Sequence, residues 1–187
     1  MEYGGDMSII DERKRLLADR ELRGSEFTLQ LSDATDEWLY GLFTSVAENR
    51  ADLALIAVGG YGRRDLSPLS DLDVLLLHND APDIEEVAEA LWYPIWDQGE
   101  KLGHSVRTLN ETLTLASEDL DTATALLSSR LIAGSQPLAN ELSGKAVDQW
   151  KSKAKFWLPK LAESVHSRHR AKGEVAFMLE PELKEGR

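Results

Sequence analysis

No cysteine occurs among the 187 residues, so disulfides, zinc ribbons and thiol nucleophiles are excluded. No apolar run approaches the ~18 residues a membrane-crossing helix needs. The start, Met1-Glu2-Tyr3-Gly4-Gly5-Asp6, has neither a basic opening nor an apolar stretch, so no secretory signal is read and the cytoplasm is the expected compartment. Basic residues are outnumbered: 21 Lys and Arg stand against 33 Asp and Glu, a net charge of −12. An acidic average surface repels polyanions, which argues against nucleic acid as a partner. What is present is globular in character. Hydrophobic residues make up 42% and charged residues 29%, enough apolar material for a packed domain and too much for disorder over most of the length. The length suits one domain, or a domain with a helical extension.

The charge is uneven. Residues 145–172 hold eight basic and two acidic side chains, so this window is +6 and the remainder −18. It reads either as a solvated helix face or as a local site for phosphate or an acidic partner.

Apolar spacing predicts a helix over residues 9–23 and a second one capped by Asp33 and running through Trp38, Leu42 and Val46. The pattern then changes. Leu53-Ala54-Leu55-Ile56-Ala57-Val58 and Asp73-Val74-Leu75-Leu76-Leu77-His78 are short continuous apolar runs, as in strands buried on both faces. Residues 59–70 between them read as a structured loop with one helical turn. A helix opened by Pro82-Asp83 ends at Gly99, with a kink or break expected at Pro94. Residues 101–109 predict a third strand, with His104, Val106 and Thr108 on one face and Gly103, Ser105 and Arg107 on the other. From residue 110 the chain reads as wholly helical, in segments 110–116, 119–131 and 137–171, the last broken near Pro159. The fold class is therefore α+β, a small mixed sheet flanked by helices with a C-terminal helical portion. Three parts are expected: an N-terminal helical segment over 1–50, a core over 51–116 and a helical extension over 117–187.

The chemistry concentrates in residues 58–74. On a strand, side chains two apart face one way, with Cα atoms ~6.5–7 Å apart. Asp71 and Asp73 would project together from the start of a buried strand, and two adjacent carboxylates repel unless a cation lies between them. Magnesium suits that pair, because it takes hard oxygen ligands and commonly combines one or two carboxylates with substrate phosphates. Gly59 and Gly60 end the preceding strand and, lacking Cβ atoms, let backbone amides approach a phosphate. Arg63 and Arg64 are placed to reach triphosphate oxygens or to cap the loop, and Ser70 to hydrogen-bond a phosphate or fix the neighbouring carboxylate. An Asp-x-Asp or a Gly-Gly alone is common and usually marks a strand edge or a turn. The ordered combination of strand, Gly-Gly, a ten-residue gap and Ser-Asp-x-Asp is far more restrictive. A P-loop is excluded because the loop lacks a Gly-Lys-Ser/Thr ending, and a dinucleotide fingerprint because Gly59, Gly60 and Gly62 lack its spacing.

Gly59-Gly60 followed by Ser70-Asp71-Leu72-Asp73 resembles the nucleotidyltransferase superfamily that includes DNA polymerase β. More narrowly, Gly59-Gly60-Tyr61-Gly62-Arg63, Leu66-Ser67-Pro68, Gly103-His104-Ser105-Val106-Arg107-Thr108-Leu109, and Leu179-Glu180-Pro181 with Lys184-Glu185-Gly186 resemble the N-terminal domain of the PII-protein uridylyltransferases. The resemblance implies a polymerase β-like fold. It also implies magnesium-dependent transfer of UMP from UTP, or AMP from ATP, to a tyrosine of a PII nitrogen-regulatory protein. Asp71 and Asp73 would be the catalytic metal ligands, and Gly59, Gly60, Arg63 and Ser70 the phosphate-binding residues. Full-length members of that family continue into a hydrolytic His-Asp domain and ligand-sensing domains. This chain has no His-Asp dipeptide, so it is expected to be the transferase portion alone.

Two departures stand out. The superfamily often places a third carboxylate on a neighbouring strand, whereas residues 103–107 here carry no acid; Asp97, Glu100 and Glu111 only flank them. Arg64 stands where the family has a small residue. His104 and Arg107 are secondary candidates for contact with nucleotide or carboxylate, or else ordinary strand residues with local partners. His166 and His169, three apart, read as a solvated helix face, and Trp92, Trp96, Trp150 and Trp157 as core. Two other readings stay open: a nucleotidyltransferase acting on RNA or a small molecule, and a nucleotide-binding regulatory module that has lost catalysis.

Overall fold

The computed structural model describes residues 8–172, with side chains described through residue 170. Residues 1–6 and the segments at 179–181 and 184–186 therefore lie outside the described residues. Four strands form one sheet: β1 (Leu53–Ala57), β2 (Leu72–His78), β3 (Leu102–Thr108) and β4 (Arg130–Gly134), in the order β3-β2-β1-β4. β1 runs antiparallel to both β2 and β4, and β2 runs parallel to β3, so the sheet is mixed. Eight helices surround it: α1 (Ile9–Ala18), α2 (Gly24–Ala47), α3 (Gly59–Gly62), α4 (Ile84–Asp97), α5 (Leu109–Ala116), α6 (Leu120–Leu126), α7 (Gln136–Ser152) and α8 (Ala154–Lys172). None of the described helices is long and apolar enough to cross a membrane.

The unbroken apolar runs of the two central strands are explained by burial on both faces. Leu53, Leu55, Leu72, Val74 and Leu76 pack with α2 and α4 in one cluster. Ala54, Ile56, Leu75 and Leu77, the alternate residues, pack with α5, α6, α7 and Trp157 in the other. Every residue of β1 is buried. Two polar links fasten the periphery. Arg13 on α1 donates to Glu100 at 2.7 Å, and the Glu100 side chain is 3% exposed. The Arg50 guanidinium donates to both Asp52, beside β1, and Asp83, at the start of α4.

Four expectations are corrected. The chain after residue 110 is not wholly helical: Arg130-Leu131-Ile132-Ala133-Gly134 is strand β4, paired with β1 through a register shift at Leu55/Ile56. Packing decides this, since a five-residue apolar run reads equally as helix or strand until a partner strand claims it. Gly134 has φ +92°, and a Cβ there would lie 2.4 Å from the Leu53 carbonyl oxygen, so the close approach demands glycine. Asp33 is interior to α2 rather than its cap, because α2 begins at Gly24. The long C-terminal helix breaks at Lys153, not at Pro159, which α8 contains. The break lets Trp150 on α7 stack on Trp157 of α8, with ring centroids 6.3 Å apart and planes 6° apart, while Trp157 is buried. Likewise α4 shows no break at Pro94 and continues through it to Asp97, just short of the expected end at Gly99.

The basic window falls on α7 and α8. There Lys145 pairs with Glu141, Arg170 with Glu163, and the Lys153 ammonium reaches the Ser117 carbonyl at 3.1 Å. Lys160 lies over the Phe156 ring at 4.0 Å.

Two stability predictions follow from the peripheral links. Arg13→Ala strands the buried Glu100 charge and is expected to cost about 3 kcal/mol in urea unfolding, against less than about 0.5 kcal/mol for the exposed Lys14→Ala. The Arg50 hydrogen bonds hold the Asp52 and Asp83 carboxyls below their ordinary value of 3.8. The stability they contribute is present above that value and is lost as pH falls through the lowered one. Arg50→Gln is therefore expected to flatten the decline of melting temperature below pH 3.8.

Candidate active site

β1 delivers the chain to Val58, whose N–H donates to the Asp73 carbonyl oxygen at 3.0 Å. That bond fixes the exit of one central strand against the entry of the other. The next residue, Gly59, has φ +59°, a left-handed conformation that costs a side-chain-bearing residue ~1–2 kcal/mol. The chain then makes the single turn α3, with Gly62 N–H donating to the Val58 carbonyl at 3.0 Å and Arg63 N–H to the Gly59 carbonyl at 3.2 Å. The one helical turn expected in this loop is thus α3, which starts directly at the glycines.

The glycines of this turn serve different ends. Gly60 has open space, its nearest side-chain neighbour being Arg63 Nη2 at 3.9 Å from an added Cβ. Gly62 is packed, since a Cβ there would sit 1.9 Å from the Ser128 carbonyl oxygen. Gly59 faces the carboxylate: a Cβ on it would lie 3.7 Å from Asp73 Oδ2.

Asp73 is the exposed residue in an otherwise buried stretch of β2. Its register partner on β3 is Gly103, and a Cβ on Gly103 would come within 2.3 Å of Asp73 Oδ1. The carboxylate therefore occupies the volume that a side chain at 103 would fill, with the Gly59 turn on its other side. Asp71 enters the strand two residues earlier, and Leu72 between them is fully buried on the opposite, α4-side face.

The loop joining turn and strand is shaped by its own side chains. Ser70 Oγ accepts from Ser67 N–H at 3.0 Å and lies 2.9 Å from Ser67 Oγ, closing a turn just before Asp71. Arg63 stays beside the glycines, half-exposed, with Nε donating to Asp65 at 2.9 Å. Arg64 does not. At φ +62° it turns back towards α2 and pairs with Asp33 at 3.2 Å, so of the two roles expected for the arginines, reaching triphosphate oxygens or capping the loop, Arg64 is turned away from the first. The positive φ also gives a physical reason for a small residue at position 64.

The turn is held from its far side by residues that sequence reading missed. Tyr61, buried, donates its hydroxyl to Asp36 on α2 at 2.7 Å. Arg130 on β4 donates to both Asp36 oxygens and to the carbonyls of Tyr61 and Gly62, each of the latter at 3.3 Å. Burial, with the Asp36 charge added, pushes the Tyr61 phenol well above its ordinary value of 10.0. Burial works to lower the Arg130 pKa, and the hydrogen bonds and charge of Asp36 outweigh it to raise it.

Gly59, Gly60, Arg63, Ser70, Asp71 and Asp73 thus gather at one end of the sheet. His104 does not join them. It is paired with Val74, on the α4 face, with its ring 5.4 Å from both Trp92 and Trp96. Arg107 shares the Asp73 face but lies opposite Leu77, four residues or roughly 13 Å along β3. The three flanking acids have other places. Glu100 is paired with Arg13, Glu111 closes a capping box with Thr108 at the start of α5, and Asp97 ends α4. Among the described residues no cluster of three or more His, Asp or Glu is arranged to hold a metal. A metal held by Asp71 and Asp73 would therefore take its further ligands from substrate or water. Gly103 did carry a sequence signal, because a glycine inside a strand marks a close approach. Asp36 and Arg130 carried none.

The model of the nucleotidyltransferase domain family matches residues 39–132, from within α2 into β4. The bifunctional uridylyltransferase/uridylyl-removing enzyme of Streptomyces coelicolor is 42% identical over 188 residues, covering 100% of this chain and 22% of the relative. The enzymes so named from Mycobacterium tuberculosis and Caulobacter vibrioides are 41% and 38% identical, covering 83% and 94% of this chain and 20% of each relative. The chain thus spans about a fifth of the length of these curated relatives.

Gly103→Ala separates site geometry from stability. The atom in its way is the end of a flexible side chain, so the Asp73 carboxylate swings aside and the melting temperature moves by no more than ~3 °C. The expected readout is a displaced Asp73 carboxyl resonance in NMR. Gly62→Ala instead meets backbone and is expected to cost about 3 kcal/mol in urea unfolding.

Proposed function

The chain belongs to the nucleotidyltransferase domain family, and from that premise we propose that it transfers a nucleoside monophosphate to a tyrosine hydroxyl of a PII signal protein. The donor is UTP or ATP; the uridylyl group in the relatives' names favours UTP. One observation carries the reading: the Asp73 carboxylate is seated between the bare Cα positions of Gly59 and Gly103, two residues from Asp71 and next to the glycine turn.

The residues fit a magnesium ion. The donor set is all carboxylate oxygen, and the missing side chain at Gly103 leaves room around Asp73. Asp71 and Asp73 would hold it, and when bound it would neutralise charge on the phosphate oxygens. The protein's own part is to bind and to orient. The Gly59–Gly62 turn receives the phosphates through backbone that no side chain blocks, with Arg63 alongside, and the Ser67–Ser70 turn fixes the approach to Asp71. The tyrosine oxygen then attacks the α-phosphorus in line. A new P–O bond forms as the bond to the β-phosphate oxygen breaks, pyrophosphate leaves with its electron pair, and the phenolic proton passes to solvent. Catalysis on this scheme is mostly positioning and electrostatics.

The two-carboxylate site also favours a second reading, a nucleotide-binding module impaired in catalysis. Incubation with labelled UTP or ATP, magnesium and a PII protein separates the two. Label on PII that falls on the order of 100-fold in folded Asp71→Asn or Asp73→Asn supports transfer. Binding without transfer supports the module, label on another acceptor replaces PII, and full activity in a folded double variant overturns the carboxylate site.

A further inference from the structure

We propose that Asp36, Tyr61 and Arg130 are positioning residues, a polar clamp outside the glycine and carboxylate motif that sets the Gly59–Gly62 turn against Asp73. The inference rests on the nucleotidyltransfer reading for its consequence, though not for its geometry. Three elements distant in sequence converge: α2 supplies Asp36, β4 supplies Arg130, and the turn supplies Tyr61 and two carbonyls. Asp36 accepts from the Tyr61 hydroxyl at 2.7 Å and from two nitrogens of Arg130. Arg130 also donates through Nε to the Gly62 carbonyl and through Nη2 to the Tyr61 carbonyl, and its guanidinium lies 5.5 Å from the centre of the Tyr61 ring. Arg64 adds a weaker contact, 4.0 Å from Asp36.

Two features separate this cluster from generic core stabilisation. First, α2 and β4 are already joined by apolar packing: Phe43 closes on Gly134, where an added Cβ would lie 2.9 Å from its ring. Second, four of the clamp's bonds end on atoms of the turn itself, namely the Tyr61 hydroxyl, the Tyr61 carbonyl and the Gly62 carbonyl, with the ring contact as the fourth. The turn in turn touches the site through Val58 N–H on the Asp73 carbonyl and through Gly59 beside Asp73 Oδ2. A path of direct contacts therefore runs from Asp36 and Arg130 to the carboxylate. Misplacement by ~1 Å at a reacting centre can cost ~100-fold, so a clamp on the turn matters to function before it matters to folding. Arginine is the suited residue, because a planar fork can bind a carboxylate and two carbonyls together while lysine cannot.

Tyr61→Phe tests this with the least disturbance, removing one hydroxyl and keeping the ring. In the folded variant, calorimetry with magnesium and UTP or ATP is expected to show affinity about tenfold weaker, equal to roughly 1.4 kcal/mol. Amide exchange at residues 59–65 is expected to quicken while β2 keeps its protection. Asp36→Ala, which removes that bond together with the Arg130 pair, should cost more, and the Tyr61→Phe/Asp36→Ala double variant should lose no more than Asp36→Ala alone, because the bond between the two is already gone. Arg130→Lys retains the charge and should not restore affinity. Unchanged affinity and exchange in folded variants, or strictly additive losses, overturn the clamp. A wild-type chain that binds neither triphosphate overturns the nucleotidyltransfer reading, while the exchange measurement still decides whether the clamp holds the turn.

Discussion

The candidate site depends on one volume constraint: the Asp73 carboxylate lies where a side chain at Gly103 would otherwise be, with Gly59 in contact on its other side. A charged group at the edge of a buried strand needs both space and access to water. The bare Cα of Gly103 provides the space without opening the core, because Leu72 and Val74 on either side of Asp73 remain buried. The constraint reaches across three elements. It fixes which residue can face Asp73 on β3, and through the Val58–Asp73 backbone bond it fixes where the glycine turn begins. Gly103 is therefore part of the site although it contributes no functional atom.

Much of this was legible in sequence because the relevant physics is local. β1 and β2 announced themselves as unbroken apolar runs, and the sheet buries both of their faces. β3 was legible from alternation, and the glycine turn from its composition. What stayed hidden depends on partners far away in the chain. β4 is five residues that only its pairing with β1 distinguishes from a helical continuation. The break at Lys153 follows from Trp150 stacking on Trp157, which no proline or glycine signals. Asp33 looked like a cap because it precedes an apolar run, yet α2 starts nine residues earlier and carries Asp33 on an exposed face.

At the site the same division holds. Spacing brought Asp71 and Asp73 to one strand entrance and Ser70 to the turn before it. Spacing gave no warning that His104 and Asp73, neighbours by register, lie back to back, since β3 alternates and His104 follows Val74 to the α4 face. Arg64 shows the limit most plainly. Its position beside Arg63 suggested a shared role, but a left-handed backbone turns it towards Asp33. Asp36 and Arg130, separated from the motif by more than twenty residues on one side and more than fifty on the other, converge on the turn only through the sheet order.

The electrostatics around the turn set the terms on which a polyanion can enter. Three arginines surround it, and each already faces an acid: Arg63 meets Asp65, Arg64 meets Asp33, and Arg130 meets Asp36. With Asp71 and Asp73 added, the neighbourhood is net acidic, as is the chain at −12. A bare triphosphate would meet repulsion there, which surface ion pairs in high dielectric offset only weakly. A triphosphate carrying a divalent cation would not, because Asp71 and Asp73 would hold the cation and the turn's backbone would receive the phosphates. On the nucleotidyltransfer reading the acidic surroundings thus select the metal-bound nucleotide over the free one. On the same reading, the acidic charge balance is compatible with a triphosphate as donor when the triphosphate carries its cation.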